Sequence, residues 1–222
     1  MKVYKFGGAS INSVERFKNT GGIIKANKAE KLLVVVSAMG KTTNALEKVA
    51  GAFFDGKKED ALGLFQQVKD NHLNSLKYLC SLQWQAAETQ LKQFFTEVEW
   101  LLHDKPVRHY DYYYDQIVCS GELMSSSILC HFLAEEKCNA AWIDVRDVLR
   151  TDDNFRDAAV DWAFTKNRMD ELVAPLFEKF DVIVTQGFIG ATGENESTTL
   201  GREGSDYSAA IFANLMEGES VT

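Results

Sequence analysis

The chain has 222 residues, with 24 Lys+Arg against 32 Asp+Glu, a formal net charge of -8, 45% hydrophobic and 25% charged residues. This is a globular composition, long enough for one large domain or two small ones around a sizeable core. The acidic balance argues against a nucleic-acid surface and a polybasic membrane anchor, though it leaves room for a local basic pocket. Cys80, Cys119, Cys130 and Cys138 show no CxxC or metal-ligand spacing; they read as reduced, mostly buried thiols of a cytoplasmic protein. No stretch reads as long and apolar enough to span a bilayer, and the N-terminus opens on a strand with no signal-peptide pattern.

In chain order, Val3–Phe6 has strand character and ends at Gly7-Gly8-Ala9-Ser10. Ser13 fits an N-cap for a helix over 14–26. Leu32–Val36 is a continuous β-branched apolar run, the mark of a parallel strand buried on both faces. It ends at the polar stretch Ser37–Asn44, and a helix over 45–54 follows. Two strand–glycine-loop–helix units in succession predict an α/β fold with a parallel sheet. From 57 to 105 the apolar spacing turns helical, predicting a helical insertion. Tyr110–Tyr114 reads as an aromatic patch packed against it. Ser120-Gly121-Glu122 is expected after a strand, opening a helix to about 134. A strand over 141–145, a short helix over 158–163 and a helix over 168–180 come next. Val182–Thr185 is a second buried strand, leading into a glycine-rich connection, 186–193, that could be a hairpin. The segment Thr198–Ala210 then runs into an apolar helix over 207–215, with Ser205 or Asp206 as its N-cap. The last residues, 219–222, read as the start of another strand, so the chain is expected to be part of a longer catalytic domain.

In open parallel sheets, ligands bind at the carboxyl ends of the strands, where these polar and glycine-rich stretches are expected. Lys5 lies in an otherwise apolar strand just before Gly7 and Gly8. Its amine could hold transferring phosphate oxygens, or it could snorkel at an edge. Phosphoryl transfer asks mainly for positioning and charge neutralisation, which a lysine, glycine N–H groups and a metal can supply. Asp206 would organise the cations around the phosphates, hold Mg²⁺ through water, or merely cap its helix. Glu122 could receive a substrate ammonium or complement a helix dipole. Arg202 could clamp a carboxylate or make a surface ion pair. GxxxxGK[ST] and a strand-linked GxGxxG are both absent, which weakens P-loop and dinucleotide readings.

Taken together, five segments resemble one family. Lys5-Phe6-Gly7-Gly8-Ala9-Ser10 is similar to the KFGGTS opening of aspartate kinases, and Val35–Gly40 with Thr43-Asn44 to their second loop. Ser120-Gly121-Glu122 resembles their GE element. Gln186–Gly190 and Thr199–Tyr207 resemble their QGFIG and TLGRGGSDY signatures, and the order is kept over the whole chain. The resemblance implies a three-layer α/β/α sandwich of the amino-acid kinase type. It implies ATP-dependent phosphorylation of the side-chain carboxylate of L-aspartate, with Mg²⁺ and no dedicated protein metal site, in a protein that is a homo-oligomer at full length. Lys5 is implied to stabilise the transferring phosphoryl group, with Gly7, Gly8 and Ser37 near the phosphates. Thr43, Glu122, Arg202 and Ser205 are implied substrate contacts, and Asp206 organises Lys5. The remaining nucleotide-binding part and regulatory ACT domains are expected outside these 222 residues, so the chain alone is expected to be weakly active or inactive. Two departures stand out: Ala9 replaces a usual threonine, and Glu203 a usual glycine. Rival readings are a glutamate or acetylglutamate kinase, a non-catalytic amino-acid-binding or oligomerisation module, and a dehydrogenase fragment.

Overall fold

The computed structural model describes residues 1–27 and 30–222. Its centre is a five-stranded sheet in the order β3-β4-β2-β1-β7, every neighbouring pair parallel. The strands are β1 (Lys2–Phe6), β2 (Leu32–Val36), β3 (Ala140–Trp142), β4 (Val182–Gln186) and β7 (Ser220–Val221). All five residues of β2 and all five of β4 are buried, as a strand covered on both faces requires. Lys5 is in register with Val35, and Val35 with Thr185, so three strand ends line up.

The chain moves from β1 to β2 through α1 (Val14–Asn27), whose start is capped by Ser13 Oγ accepting from Arg16 N at 3.3 Å. Five helices join β2 to β3: α2 (Thr42–Phe54), α3 (Lys58–Leu79), α4 (Trp84–His103), α5 (Tyr110–Val118) and α6 (Ser120–Glu135). Buried Phe65, Val68, His72 and Leu76 form one stripe of α3, and Phe65 meets Phe95 of α4 edge-to-face at 6.3 Å. Glu135, at the end of α6, closes this region by accepting backbone N–H groups of Ser81, Leu82 and Gln83 where α4 begins.

Crossover handedness sorts the layers. β1→β2 and β2→β3 step one way along the sheet, while β3→β4 and β4→β7 step back. Right-handed connections therefore put α1 and α6 on one face and the elements after β3 on the other. This is the expected α/β/α sandwich, and the step back creates the crevice at the strand ends.

Several local expectations are corrected. Ser120-Gly121-Glu122 does not follow a strand; α5 precedes it, with Cys119 as the junction. The helical run Tyr110–Glu135 contains an 18-residue window with a mean hydropathy of 1.4, long and apolar enough to cross a membrane, contrary to expectation. Its apolar window is 83% buried inside the protein, and α6 packs against the sheet as a central helix. β3 stops at Trp142, because Asp144 accepts from Arg146 N at 2.9 Å and turns the chain into a short 3-10 segment. The short helix expected over 158–163 is instead extended at its start, where Ala158 N donates to Thr199 O at 3.0 Å. One helical run then replaces the helix expected over 168–180. It comprises α7 (Trp162–Arg168), a π turn (Met169–Val173) and a 3-10 turn (Ala174–Glu178). Asp161 caps its start, accepting from Phe164 N at 2.9 Å, and Pro175, lacking an N–H, marks the change of hydrogen-bond pattern.

The connection after β4 is a hairpin, β5 (Ile189–Ala191) antiparallel to β6 (Ser197–Thr199). It delivers the chain to α8 (Gly204–Leu215), which begins three residues earlier than the expected 207. Ser205 and Asp206 therefore lie inside the first turn. The N-cap position belongs to Glu203, which makes no side-chain capping bond.

Candidate active site

A cleft of about 460 Å³ opens at the carboxyl ends of β1 and β2. It is lined by all nine residues singled out from the sequence: Lys5, Gly7, Gly8, Ser37, Thr43, Glu122, Arg202, Ser205 and Asp206. A larger groove of about 800 Å³, between the start of α1 and α3, shares Gly40 with it but contains none of the nine.

The phosphate-binding candidates are set by close backbone packing. Gly40 N donates to Gly8 O at 3.1 Å, and Ser37 N to Phe6 O at 3.1 Å, so the loops after β1 and β2 interlock. A Cβ on Gly8 would lie 2.7 Å from the carbonyl oxygen of Ala38, which only glycine avoids. The amine of Lys5, leaving the penultimate residue of β1, reaches across to Asp206, 2.9 Å from Oδ1 and 3.1 Å from Oδ2. Asp206 is 64% exposed and Lys5 21%, so the pair sits at the open mouth of the cleft rather than in the core. Ser37 Oγ, in the loop after β2, donates to Ser205 Oγ in the first turn of α8 at 2.9 Å. Close approach of α8 to the sheet depends on Gly187, whose Cβ would fall 2.8 Å from that of Ser205.

Glu122 lies in the first turn of α6 and is buried. Its Oε1 accepts from Ala38 N at 3.1 Å, while Oε2 has no partner. Burial pushes its carboxyl up from 4.5 to about 8, with the Ala38 bond acting in the opposite direction. A buried carboxylate oxygen without a donor is costly, so this oxygen is poised for a cation. Thr43 faces the cleft from the first turn of α2 rather than from a loop. Arg202 is 94% exposed at the rim, with Glu203 Oε1 3.9 Å from its Nε.

Tyr114, Arg156, Phe188 and Thr199 also line the cleft. Behind them, buried Asp115 accepts from Arg156 N (2.9 Å), Thr199 N (2.9 Å) and Thr199 Oγ1 (2.8 Å). Burial raises its carboxyl to about 6 against the pull of these donors. Arg156 and Asp115 carry no sequence signal, since Arg156 sits in an ordinary polar run, Asp115 directly follows the aromatic Tyr110–Tyr114 patch, and neither belongs to a glycine motif. Three non-glycine residues of the cleft hold left-handed backbone: Arg156 (φ 71°), Phe188 (φ 72°) and Glu203 (φ 58°). Glu203 is where the resemblance expected glycine, and its backbone shows why glycine suits that position. Among the described residues, no group of three or more His, Cys, Asp or Glu is placed to hold a metal ion.

Known proteins resemble this chain in sequence and fold. Lysine-sensitive aspartokinase 3 of Escherichia coli (strain K12) is 30% identical over 219 residues, covering 99% of this chain and 47% of that protein. The aspartokinase of Chlamydia trachomatis is 27% identical, again over 99% of this chain and 47% of its own length. The crystal structure of E. coli aspartokinase III in complex with aspartate and ADP matches with a TM-score of 0.88 and 29% identity. It covers 100% of this chain and 48% of that one. The chain thus spans about half the length of the relatives it matches. The profile of the amino acid kinase family matches residues 1–222. With the parallel sheet, the glycine loops and the Lys5–Asp206 cleft, this match establishes that the chain belongs to the amino acid kinase family.

Proposed function

We propose that this chain is the acceptor-binding part of an aspartate kinase. The reaction is transfer of the terminal phosphoryl group of ATP to the side-chain carboxylate of L-aspartate, giving ADP and 4-phospho-L-aspartate, the first step toward lysine, threonine and methionine. The observation that carries the reading is one cleft lined by both Lys5 and buried Glu122, whose Oε2 has no partner. One offers a cation to phosphoryl oxygens, and the other an anion to an amino acid's ammonium. The aspartate and ADP named for the E. coli aspartokinase III crystal structure support the same pair of ligands here.

The roles follow from chemistry. Glu122 receives the ammonium and loses its proton as it does so. Thr43 and Ser205 offer hydroxyls along the same wall, and Arg202 closes on a carboxylate from the rim. An aspartate carboxylate is already ionised at neutral pH, so no general base has to be supplied. Lys5 faces the charge that develops on the transferring oxygens, and Asp206 holds its amine in place. Gly8 lets the phosphates approach the backbone, with Gly7 and Ser37 beside it. Mg²⁺ would neutralise phosphate charge; the exposed Asp206 carboxylate suits it, with phosphate oxygens and water completing its shell. The four buried cysteines fit a cytoplasmic location.

Calorimetric titration with L-aspartate, L-glutamate and N-acetylglutamate tests the acceptor, and a hydroxamate assay for aspartyl phosphate tests the chemistry. Aspartate is expected to bind best, and Glu122→Gln to weaken it. Preference for N-acetylglutamate, which has no ammonium, would overturn the reading. Aspartate uptake with no hydroxamate formed by the full-length protein would point to a binding module.

A further inference from the structure

The cleft contains a second guanidinium that the motifs do not include. Arg156 lines it together with Arg202, yet the two are held very differently. Among the described residues, Arg202 pairs only with the neighbouring Glu203 carboxylate, 3.9 Å away. Arg156 is fixed at three points. Its backbone N donates to Asp115 Oδ2 at 2.9 Å. Its guanidinium carbon sits 4.4 Å from the centroid of the Tyr114 ring, over the ring face. Its Nη1 donates to Asp111 Oδ1 at 3.0 Å. Nη1 is thereby engaged, while among the described residues Nε and Nη2 of this side chain have no hydrogen-bond partner.

The backbone adds a second observation. Arg156 holds φ 71°, a region that glycine occupies without cost and arginine does not. Such strain at a cleft signals that the side chain there has a task. The two arginines are also neighbours in space. A Cβ built on Gly201 would lie 3.4 Å from the carbonyl oxygen of Arg156, and Ala158 N donates to Thr199 O at 3.0 Å. The loop bearing Arg156 is therefore laid along the loop bearing Arg202.

We infer that Arg156 is a specificity-determining residue that binds the acceptor's non-reacting α-carboxylate. It forms the fixed half of a two-arginine clamp whose movable half is Arg202. This rests on the acceptor reading above. With the ammonium on Glu122 and the reacting carboxylate directed to Lys5, the α-carboxylate is left to the arginines, and the exposed Arg202 alone would hold it only from the rim. A planar fork already held by stacking and an ion pair loses little freedom on binding it.

The test is titration of L-aspartate and of its α-amide, L-isoasparagine, into the wild-type chain, Arg156→Gly and Arg156→Lys. Glycine suits φ 71°, so Arg156→Gly should fold, and its backbone N can still serve Asp115. In Arg156→Gly the Kd for aspartate should rise about tenfold or more, as loss of a bidentate charged contact predicts. The Kd for the α-amide should change less than threefold, so discrimination between the two collapses. Arg156→Lys, which keeps charge but not the fork, should fall between. An unchanged aspartate Kd in Arg156→Gly, or equal weakening of both ligands, overturns the inference while leaving the acceptor reading standing. Failure of the wild-type chain to bind aspartate at all removes both.

Discussion

Lys5 and Asp206 are 201 positions apart in the chain, and the amine of one lies within 3.1 Å of both carboxylate oxygens of the other. Nothing in the last turn of a strand or the first turn of a helix requires such a partner. The pair exists because β1 and α8 end and begin at the same edge of the sheet. Its exposure also limits what it contributes to stability, since an ion pair in contact with water is worth little.

Its contribution should therefore appear in the chemistry. Lys5→Ala in the full-length protein is expected to lower kcat by roughly 10²–10³-fold, the usual effect of removing a group aimed at developing charge. Aspartate affinity and Tm should stay close to wild type. Calorimetry and a hydroxamate assay on the same preparation separate the two effects. A variant that loses aspartate binding would place Lys5 on the acceptor instead.

Glu122 gives a pH dependence with a definite sign. Burial raises its carboxyl from 4.5 to about 8, so between these values the folded state holds a proton that the unfolded state has released. Its contribution to stability is present below pH 4.5 and is lost as pH rises toward 8. Glu122→Gln should remove this trend, and the difference in unfolding free energy from wild type should grow by about 1.4 kcal/mol per pH unit inside that window. Denaturant melts at several pH values read it directly. Aspartate binding should show the opposite course, tightening as pH rises toward 8 and releasing a proton into the buffer. Affinity independent of pH would mean that the ammonium sits elsewhere.

Gly8→Ala would place a methyl group 2.7 Å from the Ala38 carbonyl oxygen and 3.0 Å from that of Gly40. Both are backbone atoms, so the loops must separate. A loss of about 1–3 kcal/mol is expected from overpacking of this kind, with weaker nucleotide binding. Thermal melts with and without ADP would measure both.

Gly201→Ala combines two penalties, a φ of 73° and a Cβ only 2.7 Å from Asp157 Oδ1. About 1–3 kcal/mol of destabilisation is expected from forcing a side chain into that backbone region. Gly193→Ala is the control, because nothing lies within 4 Å of its Cβ. It should stay within about 0.5 kcal/mol of wild type, as open surface positions do. Equal Tm values for the two variants would contradict the packing described around Gly201.

Much of this protein can be read from short-range chemistry. The runs Leu32–Val36 and Val182–Thr185 declare buried parallel strands because every residue but Thr185 is apolar and most are β-branched. The glycine-rich stretches at strand ends declare backbone that must approach something closely, and the nine residues singled out across the motifs line one cleft. What local patterns could not supply is anything decided between distant segments. Ser120–Glu122 looked like the end of a strand, because a mostly apolar helix turning into a central buried helix has no amphipathic period. Asp206 looked like a cap, although the left-handed backbone of Glu203 lets α8 start earlier and leaves its carboxylate to Lys5. Arg156 has no motif at all: its place in the cleft depends on a backbone bond to Asp115 and a ring offered by Tyr114, both about forty residues away. Sequence alone determined the strands β1, β2 and β4, the glycine turns and the kinds of charge at the site, since these follow from neighbouring residues. Only tertiary structure decided which charges face one another, because that depends on how the parallel crossovers bring the strand ends to one edge.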